Sequence, residues 1–156
     1  MYPLSVAIDV NPPGVSPKLS KEQVWHGLVM KAENAVLFLP SMKSCEVLER
    51  HDNGLLREVV AGDQNVRFRE KITFTPPVEV LFERVATDAN AGWITNVISE
   101  SAHGLLLTFT FAVNLPGAVP GTPEERVKGE AMREFYTRAV TATLARVRQL
   151  ASEGKL

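Results

Sequence analysis

The stretch VRFREKITFTPP, Val66 to Pro77, alternates apolar and polar residues with the period of a β-strand. Its first, third, seventh and ninth residues are apolar, and arginine, lysine or threonine stands between them. Glu70 interrupts the apolar row at its centre. A carboxylate there is an edge residue, half of a buried ion pair or the polar group of a site, and the surrounding sheet decides which.

The composition predicts one globular domain over residues 1–156. The chain has 156 residues, of which 45% are hydrophobic and 22% charged. A chain of this length buries about two-thirds of its unfolded surface around one core. Its formal net charge of -1 gives no overall attraction for nucleic acid or for an anionic membrane, so we expect no nucleic-acid partner.

No segment predicts secretion or a membrane span. The N-terminus lacks a basic region and reaches Asp9 and a proline pair before an apolar run forms. No apolar window approaches the roughly 18 residues that a membrane span requires. We therefore expect a soluble, cytoplasmic protein.

Turn and capping signals divide the first two-thirds of the chain. We predict a strand over residues 2–10, a helix over about 21–33, and a short helical turn or buried connection that ends at Pro40. From Lys43 onward the hydrophobic period changes to two, and turn residues separate six consecutive strands in a meander.

A long amphipathic helix is predicted at the C-terminus. Thr122 is a capping residue, proline follows at the first helical position, and two glutamates stand in the positive first turn. An apolar stripe that includes Val127, Phe135 and Leu150 continues to about residue 152. At about 1.5 Å per residue this helix is about 45 Å long. It is the one predicted element long enough to cover a seven-stranded sheet.

The order of one strand, two short helices, six antiparallel strands and a long C-terminal helix resembles the helix-grip fold. This is the fold of the START and birch-pollen-allergen superfamily, also called SRPBCC. The stretches REKITFTPP and TPEE look most like its AtaL-like branch, a mostly uncharacterised bacterial and fungal group. The resemblance implies an α+β fold in which a seven-stranded curved antiparallel sheet wraps the C-terminal helix and leaves a cavity for a hydrophobic ligand. Lipid carriers, allergens and polyketide cyclases share this fold, so the resemblance does not choose an activity.

Turn counting places Glu70 on the inner face of this sheet. If residues 76–78 form a turn, Ile72 faces Phe82 and Glu70 faces Arg84 on the next strand. A shift by one residue would move Phe82 outside, so burial favours this register. We therefore predict a cross-strand ion pair between Glu70 and Arg84 beneath the long helix, and the sequence leaves open whether this pair is structural or orients a ligand.

Asn96 is predicted on the same inner face. A two-residue turn at 103–104 pairs Asn96 with Phe111, among apolar neighbours. An amide left without a partner there costs about 1–3 kcal/mol. A ligand, a water molecule or the charged pair would supply that partner, and Tyr136 on the helix offers a hydroxyl in the same region.

We predict that a small hydrophobic molecule, lipid-like or polyketide-like, binds between the sheet and the helix. Polar groups would orient it and an apolar wall would supply affinity. The candidate binding residues are Glu70, Arg84, Asn96, Phe68, Phe82, Phe109, Phe111, Met132, Phe135 and Tyr136. Two alternatives stay open: a cyclase- or isomerase-like enzyme using Glu70 as acid and base, and a protein-interaction module with a collapsed core. Binding is favoured over catalysis.

The other reactive residues predict no further site. His26, His51 and His103 lie far apart without metal-ligand spacing, so we expect no metal. Cys45 is the only cysteine, which excludes an internal disulfide, and no histidine is predicted beside it to make a nucleophile. We expect no cofactor, and the sequence leaves monomer and homodimer open.

Overall fold

The periodicities of the sequence become seven strands and two α-helices in a computed structural model, which describes residues 1–85, 91–115 and 117–156. Residues 86–90, which include the start of the turn predicted between the fourth and fifth strands of the meander, and Pro116 lie outside these ranges. In chain order the elements are β1 (Tyr2–Asp9), α1 (Lys21–Glu33), a 3-10 turn (Ala35–Leu37), β2 (Met42–His51), β3 (Gly54–Ala61), β4 (Val66–Thr75), β5 (Glu79–Arg84), β6 (Gly92–Ser101), β7 (Gly104–Val113) and α2 (Pro123–Ser152).

All seven strands form one antiparallel sheet in the order β1-β7-β6-β5-β4-β3-β2. The strands from β2 to β7 are therefore a meander, and β1 closes the edge beside β7. Together with the long C-terminal helix this is the α+β helix-grip fold that the sequence predicts. The second predicted helix is a single 3-10 turn, because its apolar segment ends at Pro40 and is too short for an α-helix.

The two predicted strand registers have different outcomes. Glu70 does lie opposite Arg84 across β4 and β5. The predicted pairing of Asn96 with Phe111 is wrong by two residues, because Asn96 pairs with Phe109. Ser101 pairs with the residue at position 104, so the β6–β7 turn lies one residue earlier than predicted. A shift of two residues leaves every side chain on its predicted face of the sheet.

The second half of α2 closes the core against the sheet and α1. Of the buried residues of α2, only Gly129 lies in its first half, and the others are Val140, Thr143, Leu144, Val147 and Leu150. Gly27 of α1 lies so close to Val147 that a Cβ atom there would overlap the valine side chain. The predicted stripe is not buried along its whole length: Val127 is 71% exposed and Phe135 is 43% exposed. In the parts of the chain described, neither helix has a stretch both long and apolar enough to cross a membrane.

Candidate functional site

A cavity of about 340 Å³ lies between the inner face of the sheet and α2. Its volume falls in the range of about 300–1,000 Å³ that is usual for small-molecule pockets. All the predicted binding residues except Phe111 line it, namely Phe68, Glu70, Phe82, Arg84, Asn96, Phe109, Met132, Phe135 and Tyr136. Phe111 instead packs behind the wall, with its ring centroid 4.7 Å from that of Tyr136.

Two half-exposed apolar residues mark the opening of this cavity. Phe135 on α2 is 43% exposed and Val66 at the start of β4 is 44% exposed, and both line the cavity. Gly62 of the β3–β4 turn and Leu39, which follows the 3-10 turn, line it as well. The cavity therefore reaches the surface between α2 and the β3–β4 turn.

Three charged residues stand side by side on the inner face of the sheet. Arg57 on β3, Glu70 on β4 and Arg84 on β5 are direct neighbours in register. Arg57 donates from Nε and Nη2 to Glu70 Oε2, at 2.9 and 2.6 Å. Its Nη1 donates to the main-chain carbonyls of Lys31 and Ala32, at 3.0 and 2.9 Å. This arginine thus neutralises the buried carboxylate and joins the sheet to the last turn of α1.

The predicted ion pair between Glu70 and Arg84 is therefore wrong, although the two residues are opposite in register. The Arg84 guanidinium lies over the Phe68 ring, 4.8 Å from its centroid. Its Nε is buried and has no hydrogen-bond partner within the described chain. Burial raises the pKa of the Tyr136 hydroxyl, and the nearby Arg84 opposes this shift through its charge and through a side-chain hydrogen bond to that hydroxyl.

Lys31 brings a further cation into the cavity from α1. It is 8% exposed, its Nζ donates to Asn96 Oδ1 at 3.2 Å, and this Nζ lies 5.6 Å from the Phe82 ring centroid. Asn96 thereby has the polar partner that its buried position requires. Burial and then the charge of Arg57 lower the pKa of Lys31 to about 8.

Arg57 and Lys31 were not predicted as site residues, although the sequence contains a signal for each. A four-residue turn at 62–65 sets Arg57 of β3 opposite Glu70 of β4. Lys31 lies three residues after Leu28, at the helical spacing of the buried face of α1. A charged side chain at a core-facing position was the signal in both cases.

The lowered pKa of Lys31 predicts how stability depends on pH. Between about pH 8 and pH 10.5 the unfolded chain holds the lysine proton that the folded chain has lost, so the free energy of unfolding rises with pH. The full gain in the free energy of unfolding is present above pH 10.5 and is lost as the pH falls through 8. Because one pKa unit corresponds to about 1.4 kcal/mol, this gain is about 3 kcal/mol. Urea unfolding of the wild type and of Lys31→Met across this range would measure it.

The difference between those two proteins isolates Lys31 from every other group that titrates in the same range. Lys71→Met, on the exposed outer face of β4, is the matched control and should follow the wild type. The lowered pKa of Lys31 would be contradicted if the free energies of unfolding of the wild type and of Lys31→Met differed by the same amount from pH 7.5 to 10.5.

A curved antiparallel sheet around a long C-terminal helix, with a lined cavity between them, defines the helix-grip class of proteins. Within that class the chain belongs to the AtaL family, described as "Acetylaranotin biosynthesis cluster protein L", whose sequence profile matches residues 4–154. A search by sequence among curated proteins finds no significant match.

Solved structures share the fold at low sequence identity. The di-domain ARO/CYC StfQ from the steffimycin biosynthetic pathway matches 97% of this chain with 12% identity and a TM-score of 0.71, and the chain spans 51% of its length. The Zhui aromatase/cyclase from Streptomyces sp. R1128 matches 96% with 18% identity and a TM-score of 0.65, over 94% of that chain. A START superfamily protein from Mycobacterium smegmatis matches 96% with 18% identity and a TM-score of 0.65, over 97% of that chain. At these identities the comparison establishes the common fold.

Proposed function

We propose that the protein binds a small hydrophobic molecule in the cavity between the sheet and α2. The observation that carries this proposal is the cavity itself, about 340 Å³ in volume, with a largely apolar wall and a few polar groups. Apolar pockets with a few convergent polar groups are the usual form of a small-molecule site. The opening beside Phe135 and Val66 gives such a molecule a route from the surface.

Of the four charged residues that line the cavity, two form a structural ion pair and the other two form no ion pair in the described chain. Arg57 and Glu70 neutralise each other, and Arg57 also satisfies two carbonyls of α1, so this pair has a structural role that needs no ligand. Lys31 and Arg84 have no carboxylate partner in the described chain and line the same space. Lys31 and Arg84 are therefore available to a ligand, while Arg57 and Glu70 maintain the structure around it.

An enzyme of the cyclase or isomerase kind is the second candidate. Two observations favour it: aromatase/cyclases are among the proteins of this fold, and Glu70 lines the cavity with both of its Arg57 hydrogen bonds on Oε2. An acid-base role would use the other oxygen, Oε1, on a cavity-bound substrate. The structural role of Glu70 already accounts for its position, so binding remains the favoured function. Loss of turnover in Glu70→Gln with binding retained would identify catalysis.

Filling the cavity tests the binding proposal. Ala139 of α2 lines the cavity, and Ala139→Trp would place an indole in the space that a ligand needs. We expect fatty acids, aromatic compounds or polyketide-like compounds to raise the Tm of the wild type by mass action. The Trp variant should fold and should give no such shift.

Ala145→Trp is the matched control, because Ala145 lies on the exposed face of the same helix. We expect it to respond to ligands as the wild type does. If no compound of a broad panel shifts the Tm of the wild type, or if Ala139→Trp responds equally, the cavity is not a binding site and an interaction module becomes the better description.

A further inference from the structure

We infer that the cavity selects an organic acid, in which an apolar body carries one anionic group that Lys31 and Arg84 bind. The inference rests on the proposed function, because it names the kind of ligand that the same cavity takes. It arises from the charge balance of the wall, from the unused hydrogen-bond donors and from the placement of the two cations.

The wall of the cavity has more cations than anions. Among its lining residues in the described chain, Lys31, Arg57 and Arg84 are basic and Glu70 is the one carboxylate. Arg57 cancels the charge of Glu70 through two hydrogen bonds to the same oxygen. Two positive charges remain in a space whose other walls are mostly apolar, and a charge held in such surroundings is costly unless it is paired.

Hydrogen-bond capacity identifies which cations are available to a ligand. Arg57 uses all three of its nitrogens on Glu70 and on the carbonyls of α1, so it has little to offer. Lys31 has three donors, and its hydrogen bond in the described chain is the one to Asn96. Arg84 Nε is buried without a partner there. A buried donor left unpaired costs about 1–3 kcal/mol, and more when it is charged, so an anion would relieve both residues.

Both cations line the cavity near Phe82 and Phe68. The Lys31 Nζ lies over the ring of Phe82, and Phe82 and Arg84 are two residues apart on the inner face of β5. Two residues of a strand span about 7 Å, and the Arg84 guanidinium is turned to the Phe68 ring, so an acidic group that binds both cations would lie between Phe82 and Phe68. The rings of Phe68 and Tyr136 stand next to Arg84 and provide the surface for the apolar body.

A pair of fluorescent probes with one aromatic body separates the contribution of charge from that of hydrophobicity. Anilinonaphthalene sulfonate is an anion, and phenylnaphthylamine is the same body without the sulfonate. For each protein we would measure both dissociation constants by titration and take the ratio of the neutral to the anionic value. The properties of the free probes are the same in every titration. A change in this ratio between variants therefore reports a change in the preference of the protein for the charged probe.

We expect the ratio to fall about tenfold or more in Lys31→Met and in Arg84→Met, since a hydrogen bond to a charged group contributes about 1.5–3 kcal/mol and about 1.4 kcal/mol is tenfold in affinity. Arg69→Met is the matched control on the exposed outer face of β4 and should keep the wild-type ratio. Ala139→Trp should abolish the binding of both probes, which locates them in the cavity. The wild type alone gives a further readout: naphthoate should displace the anionic probe at lower concentration than naphthamide does.

The outcomes separate the inference from the proposed function. If neither probe binds the wild type, the binding proposal fails, and the inference fails with it. If both probes bind in the cavity but the ratio is the same in all variants, or naphthamide competes as well as naphthoate, the cavity takes neutral molecules and only the inference is overturned. Circular dichroism of each variant confirms folding, and the naphthoate comparison requires no variant.

Discussion

Replacing Arg57 with leucine is expected to lower the free energy of unfolding by about 3–5 kcal/mol, the usual cost of leaving half of a buried ion pair without its partner. The side chains of Arg57 and Glu70 are 3% and 5% exposed, so the carboxylate that loses its guanidinium is poorly solvated. The variant would also lose the hydrogen bonds to the carbonyls of Lys31 and Ala32 at the end of α1. Urea unfolding followed by circular dichroism would measure the change.

Arg84→Leu is the matched control for this prediction. Arg84 flanks the same glutamate in the same register row, on the opposite side from Arg57. Because Glu70 keeps its pair with Arg57, we expect Arg84→Leu to cost about 1 kcal/mol or less, as for removal of a cation that has no buried partner. Equal losses in the two variants, or a larger loss in Arg84→Leu, would contradict the assignment of the ion pair.

Phe109→Ala is expected to be the second large effect, with a loss of about 3–5 kcal/mol in the free energy of unfolding. The Phe109 ring is 0% exposed, lines the cavity and lies 5.9 Å from the Tyr136 ring, measured between centroids. Removing it takes away a buried aromatic surface and enlarges a space that the surrounding sheet cannot close. Thermal and urea unfolding would measure the loss.

Phe135→Ala provides the comparison, since Phe135 lines the same cavity but is 43% exposed at its opening. We expect a loss of about 1 kcal/mol or less there, because most large losses come from fully buried side chains. Similar losses for Phe109→Ala and Phe135→Ala would mean that the inner wall of the cavity is less tightly packed than the structure indicates.

The fold was predictable because its signals are local. The alternation in β4, the proline turn after it and the capping box of α1 at Ser20 each act within a few residues. The predicted register of β6 and β7 was wrong because it depended on which two residues form the turn. The histidine-glycine pair at 103–104 does not by itself fix the position of that turn. The two-residue error preserved the face of Asn96, and so its place at the cavity.

The site was harder to predict because its contacts are not local. A residue in a central strand has a neighbour on each side, and turn counting alone does not say which neighbour its side chain will contact. Glu70 bonds to Arg57 rather than Arg84 because the Arg57 guanidinium is also fixed by the carbonyls of α1, a helix more than twenty residues earlier in the chain. Helical periodicity similarly gave the apolar face of α2 without indicating that Phe135 would remain half-exposed.

Lys31 holds α1 against the sheet through its main-chain carbonyl and lines the cavity with its side chain. Arg57 binds its main-chain carbonyl, which every amino acid possesses, whereas only its side chain enters the cavity. A substitution at this position can therefore reverse or remove a charge in the cavity while the hydrogen bond that joins the helix to the sheet persists. The charge of the cavity and the attachment of α1 to the sheet can thus be changed independently at one position of the chain.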